Sequence, residues 1–192
     1  MTPITVLAGP AAVVDRANVD TDQIIPARFL RKPRSAGYNN FLFHDLRTTD
    51  PDFPLGPSGN PPILLAGANF GCGSSREGAV YALADAGVHC VIAPGFGDIF
   101  VGNASKNGLL TVALPDEDVA ALMAAARSGL PLNVDLPAQE VRAGNRSYRF
   151  EIDPFRKRRL AEGLDDIGLT LAHEAEIAAY EATHLAACPW AG

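Results

Sequence analysis

The sequence contains no apolar run near the ~20 residues that a helix needs to cross a bilayer, and no basic stretch, apolar segment and cleavage site mark its N-terminus. A cytoplasmic protein is the expectation. Cysteine is scarce: Cys72, Cys90 and Cys188 make an odd set without Cys-x-x-Cys spacing, which argues against a disulfide framework and against a self-contained zinc or cluster site. No metal ligand is therefore assigned to this chain. Positive charge is also short, with 16 Lys and Arg against 22 Asp and Glu and a formal net charge of -6. Such a balance argues against nucleic acid and anionic membrane surfaces as partners. The densest basic run, Arg156-Lys157-Arg158-Arg159, reads as a solvated face near a helix start or as a cover for a partner. The GxxxxGK[ST], strand–GxGxxG–helix and GxSxG patterns are all missing, which removes the common phosphate-binding, dinucleotide-binding and nucleophile-elbow readings. The four histidines, His44, His89, His173 and His184, are scattered, and each reads as a surface or internally satisfied side chain.

What is present is a 47% hydrophobic, 20% charged chain with 18 Gly and 15 Pro, a loop-rich globular composition. Residues 1–192 are expected to form a single domain. Residues 4–14 are apolar and β-leaning, and the polar stretch Asp15–Asp22 reads as a loop. From about 31 to 60, Arg, Gly, Pro, Asn and Ser crowd a non-periodic excursion with only short helical pieces. Short apolar runs at 62–66, 88–93 and 109–114 read as buried strands, alternating with helices over 77–86 and 98–103; a further helix runs from 116 to 127. That alternation is an α/β signature. Residues 132–152 suggest two strands, 133–136 and 147–152, with Ala143-Gly144-Asn145 as the turn between them. A helical C-terminal segment, about 155–186, follows with amphipathic helices at 155–163 and 172–184, and Pro189 and Trp190 then trail over the surface.

The most informative segment is Asn69-Phe70-Gly71-Cys72-Gly73-Ser74-Ser75-Arg76-Glu77, which joins a buried strand to a helix. Gly71 and Gly73 allow the backbone to approach a ligand, while the helix start presents amides to an anion. Ser74, Ser75 and Arg76 add hydroxyls and a forked cation suited to a carboxylate. On composition alone another reading stands beside it: a tight turn in which Ser74 caps the helix and Glu77 completes a capping box. Cys72 reads as a small buried side chain.

The run Gly71–Glu77 resembles the Gly-x-Gly-Ser-Ser-Arg-Glu signature of the aconitase superfamily's swivelling domain, and Asn18-Val19-Asp20-Thr21-Asp22-Gln23-Ile24-Ile25-Pro26 resembles that family's first motif. Asp98-Ile99-Phe100, Asn103 and Lys106–Leu110 match its pattern after the second buried strand, and Glu162–Ile167 is similar to the late segment of bacterial small subunits of the isopropylmalate-isomerase type. The resemblance covers nearly the whole chain. It implies an α/β swivelling domain, a small mixed β-structure flanked by helices, and a hydro-lyase that interconverts 2- and 3-isopropylmalate in leucine biosynthesis. It also implies roles: Ser74 as the base, Ser75 and Arg76 on a substrate carboxylate, and Asp22 orienting a neighbouring charge, with a cap or turn role for Asp22 equally open. The implied four-iron, four-sulfur cluster belongs to a large-subunit partner, without which this chain is inactive. Phe29-Leu30-Arg31-Lys32 matches a loop that touches the substrate's variable group, where Arg31 either meets an extra carboxylate or faces solvent. One departure stands out. The family signature usually continues with His, and this chain has Gly78. Two further readings follow from Arg31 and Gly78: a related hydro-lyase acting on homoaconitate, citramalate or dimethylmalate, and a non-catalytic regulatory paralogue.

Overall fold

The protein is described from a computed structural model that covers residues 1–188 and Trp190. Its strands form two sheets of four. One is parallel and contains β2 (Ala11–Val14), β3 (Ile63–Ala66), β4 (Cys90–Ala93) and β5 (Leu110–Ala113), in that order. The other is antiparallel and places β1 (Val6–Gly9) beside β6 (Leu132–Asp135), followed by β7 (Glu140–Ala143) and β8 (Arg146–Arg149). Pro10 separates β1 from β2 and has no N–H to give to a ladder, so the apolar run at 4–14 becomes two strands in different sheets.

The two central strands of the parallel sheet, β3 and β4, are covered on both faces, which is why they are continuous apolar runs. Leu64, Ala66, Val91 and Ala93 point into one core with Ala79, Val80 and Leu83 of helix α3 (Glu77–Asp85). Ile63, Leu65, Cys90 and Ile92 point the other way, against Val119, Leu122 and Met123 of helix α5 (Asp116–Arg127) and Val134 and Val141 of the antiparallel sheet. Helix α4 (Asp98–Lys106) links β4 to β5. Cys90 is fully buried in this second core, and burial pushes its thiol well above the ordinary range.

Several expectations change. Residues 132–152 hold three strands, because Ala138 donates its N–H to Asp135 Oδ1 (2.8 Å) and turns the chain early into β7. The Gly144-Asn145 turn joins β7 to β8. The polar stretch before Ile24 ends in a short helix, α1 (Thr21–Ile24), opened by a reciprocal cap: Asp20 accepts from the Gln23 N–H, and Gln23 Oε1 accepts from the Asp20 N–H. The excursion does carry short helical pieces, Arg34–Ala36, Tyr38–Phe41 and α2 (His44–Thr49), but it is no mere surface loop, since Leu42, Phe43 and Leu55 are buried in the first core.

The C-terminal part contains α6 (Pro154–Glu162), α7 (Asp166–Leu171) and α8 (Glu174–Ala187). In α8 no residue is buried, and Tyr180 and Leu185 stand in solvent, so the expected amphipathic helix has no apolar surface beneath it. Trp190 is exposed, and Pro189 lies outside the described residues. The basic run is only partly a solvated face: Arg159 is buried and pairs with Asp166 (2.7 Å), while Lys157 Nζ donates to Pro137 O and Gln139 Oε1. No helix among the described residues is long and apolar enough to cross a membrane.

Ile92 is fully buried where α5 and both sheets meet. Truncation in Ile92→Ala is expected to cost about 2–5 kcal/mol, read as a lower urea midpoint with little change in slope.

Candidate active site

The parallel order brings the C-terminal ends of β2, β3 and β4 to one edge, the place where open α/β sheets generally receive ligands. The loop after β3 lies there between the segments that follow its two neighbours. On one side Asn18 N donates to Ala68 O (2.8 Å), Gly71 N to Val19 O (2.7 Å) and Thr21 N to Cys72 O (3.0 Å). On the other, Phe70 N donates to Gly95 O (3.0 Å) and Gly97 N to Phe70 O (3.0 Å). The backbone of the loop is thus clamped like a strand, which leaves its side chains free for other work.

Gly71 has φ 72° and lies where a Cβ would run into the Phe100 ring of α4, so both its conformation and its space require glycine. Cys72 is half-buried rather than buried, because it sits on the rim and not beneath it. Gly73, at φ 88°, turns the chain outward. Ser74 and Ser75 follow, both exposed, and their hydroxyls make no hydrogen bond among the described residues. The Ser74 carbonyl is fixed twice, by Thr21 Oγ1 (3.0 Å) and by Arg76 N (2.8 Å). Arg76 occupies the N-cap position of α3, and no side chain caps that helix. The capping-box alternative for Ser74 and Glu77 is therefore not realised: Glu77 Oε1 instead accepts from Asn107 Nδ2 (2.7 Å), tying α3 to the end of α4.

The Arg76 guanidinium is half-buried, and its Nη1 is in ion-pair contact with Asp22 Oδ1. Asp22 Oδ1 also accepts from Ala27 N (3.3 Å), so its carboxylate touches both the guanidinium and the turn that begins at Ala27. Arg31 stands apart in the exposed turn after α1, with no ion pair or hydrogen bond of its side chain among the described residues. Ser74, Ser75, Arg76 and Asp22 thus share one rim, and Arg31 is held near it by the turn whose Ala27 N–H is bonded to Asp22. A separate cleft lined by Val101, Ser105, Thr111, Arg156 and Leu160 includes none of them. Thr21 is a site residue that sequence reasoning misses; the Asp20-x-x-Gln23 capping pattern is the available signal that a helix starts there.

The Aconitase C-terminal domain family matches residues 1–117 and LeuD_N matches 120–154, while the family of C-terminal domains from 3-isopropylmalate dehydratase small subunits matches 166–191. The chain is 50% identical over 200 residues to a 3-isopropylmalate dehydratase small subunit from Xanthobacter autotrophicus, covering 99% of this chain and 100% of that protein. It is 49% identical over 201 residues to one from Rhodospirillum centenum, covering 100% and 99% respectively. The crystal structure of a 3-isopropylmalate dehydratase from Methanocaldococcus jannaschii superimposes with a TM-score of 0.71 at 25% identity, over 91% of this chain and 99% of that one.

Replacing the buried Thr21 hydroxyl in Thr21→Val is expected to lower stability by about 1 kcal/mol. Amide hydrogen exchange at Arg76, whose N–H is held by the same Ser74 carbonyl, should quicken in this variant more than exchange in β4.

Proposed function

The chain belongs to the family of 3-isopropylmalate dehydratase small subunits within the aconitase superfamily, and from that membership we propose that it acts as the small subunit of this hydro-lyase in leucine biosynthesis. The observation that carries the reading is the rim itself: two exposed serine hydroxyls beside a guanidinium already held by a carboxylate. The reaction exchanges a hydrogen and a hydroxyl between neighbouring carbons. Loss of one proton and one hydroxide gives an alkene and a water, and addition of water in the opposite sense gives the isomer.

In this proposal Arg76 and Ser75 hold a substrate carboxylate, the planar fork of the arginine matching the two oxygens. Asp22 keeps that fork oriented, and a substrate carboxylate brought to the guanidinium makes the group net negative, which the α3 amides at the helix start help to offset. Ser74 Oγ takes the proton from carbon and returns one in the reverse direction. A serine is a very weak base in water, so its alkoxide requires nearby cation and amide dipoles and a site from which water is excluded. The α3 amides and Arg76 supply the first requirement. The second is not met by one chain, because Gly73, Ser74 and Ser75 are exposed. The large subunit, when it covers this rim in the cytoplasm, completes the site.

The donors of this chain do not fit an iron–sulfur cluster. Cys72 is in the site loop, Cys90 is sealed inside β4 and Cys188 follows α8, and no group of three His, Cys, Asp or Glu among the described residues is placed to hold a metal. We assign the family's cluster to the large subunit.

The test is anaerobic reconstitution with the cluster-loaded large subunit and 3-isopropylmalate, following alkene absorbance. Turnover should require both chains. Ser74→Ala is expected to lower kcat by about 10²–10⁴-fold with KM little changed, and Arg76→Lys to raise KM. A Ser74→Ala complex as fast as the wild type would remove the assignment of the base.

A further inference from the structure

Gly78 is the second residue of α3, two positions after Arg76, and it is fully enclosed. A methyl group placed on it would stand 2.6 Å from Leu30 Cδ2 and 3.3 Å from Tyr38 Cε2. The missing side chain has left no hole: Leu30 lies directly on the helix, and the Tyr38 ring packs beside it. Tyr38 in turn donates its hydroxyl to Lys32 O (2.9 Å), on the far side of Arg31. The same face of α3 continues through Tyr81 and Asp85, at helical spacings of three and seven residues. Arg34 stacks over the Tyr81 ring (4.1 Å to its centre) and bonds Asp85 through Nε (3.2 Å) and Nη2 (2.6 Å).

The turn 27–32 is thus fixed at both ends to the carboxylate rim. At its start Ala27 N is bonded to Asp22, the partner of Arg76; near its end Leu30 rests on the helix that Arg76 begins. Through these contacts the turn lies beside the Arg76 guanidinium. We propose that Gly78 is a positioning residue for substrate selection: by having no side chain it lets Leu30 seat against α3, and so sets how closely the Leu30-Arg31 wall approaches the substrate's variable group. The atom that a new Cβ would meet first is the end of a flexible leucine, so a substitution moves the wall before it disturbs the backbone. This inference rests on the reading of Ser74–Arg76 as the carboxylate site.

The experiment compares Gly78→Ala, Gly78→His, Leu30→Ala and the double variant Gly78→Ala/Leu30→Ala in the reconstituted complex. For each, kcat/KM is measured with 3-isopropylmalate and with the homologue carrying methyl in place of isopropyl. Gly78→Ala should shift the ratio of the two by roughly tenfold, the scale of pocket discrimination between substrates differing by a few methylenes, with a larger shift for Gly78→His. In the Leu30→Ala background the Gly78→Ala change should move the ratio by less than about twofold, because its target is gone. Equal losses on both substrates, or an unchanged effect in the Leu30→Ala background, overturn the proposal while wild-type turnover leaves the functional reading standing. A wild-type complex without turnover on either acid overturns both.

Discussion

The clamping of residues 68–72 between two neighbouring backbone segments is what the rest of the site depends on. A loop of glycines and serines has high conformational freedom, and fixing each residue costs about 1–2 kcal/mol of backbone entropy. Here the cost is offset by five backbone hydrogen bonds exchanged with the segments after β2 and β4, which are themselves placed by the parallel ladder. The sheet therefore reaches the chemistry through its carboxyl edge. Any change that moved β2 or β4 would reposition the serines without touching them.

Electrostatics adds a second constraint. A guanidinium at a helix start is placed against the local dipole, which favours negative charge there. Asp22 relieves that conflict, and its own position is set by α1 and the Asp20–Gln23 cap. The pair keeps a cation beside the amides of the helix start. Since the Asp22 side chain is half-exposed, its attraction to Arg76 is screened by solvent on this chain alone and strengthens where a partner surface excludes water.

The parts of the fold legible in the sequence are those where burial leaves a plain pattern. Strands β3 and β4 are apolar on both sides, and both they and β5 lie in short apolar runs bounded by Gly or Pro, so they can be read directly. Strand β7 escapes such a reading because it is short and only Val141 and Ala143 turn inward. The burial of Leu42, Phe43 and Leu55 is hidden by the non-periodic residues around them. At the site, the Gly71–Glu77 motif and Asp22 are visible as residues, whereas the bond from Thr21 to the Ser74 carbonyl spans 53 positions and follows only from the sheet order. The end of α8 shows the converse, since a helical pattern can be read without a surface for it to cover.

The split at Pro10 has a consequence for synthesis on the ribosome. Strands β2 to β5 lie side by side in the order in which they are made, so that sheet can assemble as the chain emerges. Strand β1 cannot, because Val6 pairs with Asp135 and Gly9 with Leu132. The first strand to leave the exit tunnel is thus among the last to find its neighbour, and for most of translation it remains an open edge that chaperones or wrong partners can reach.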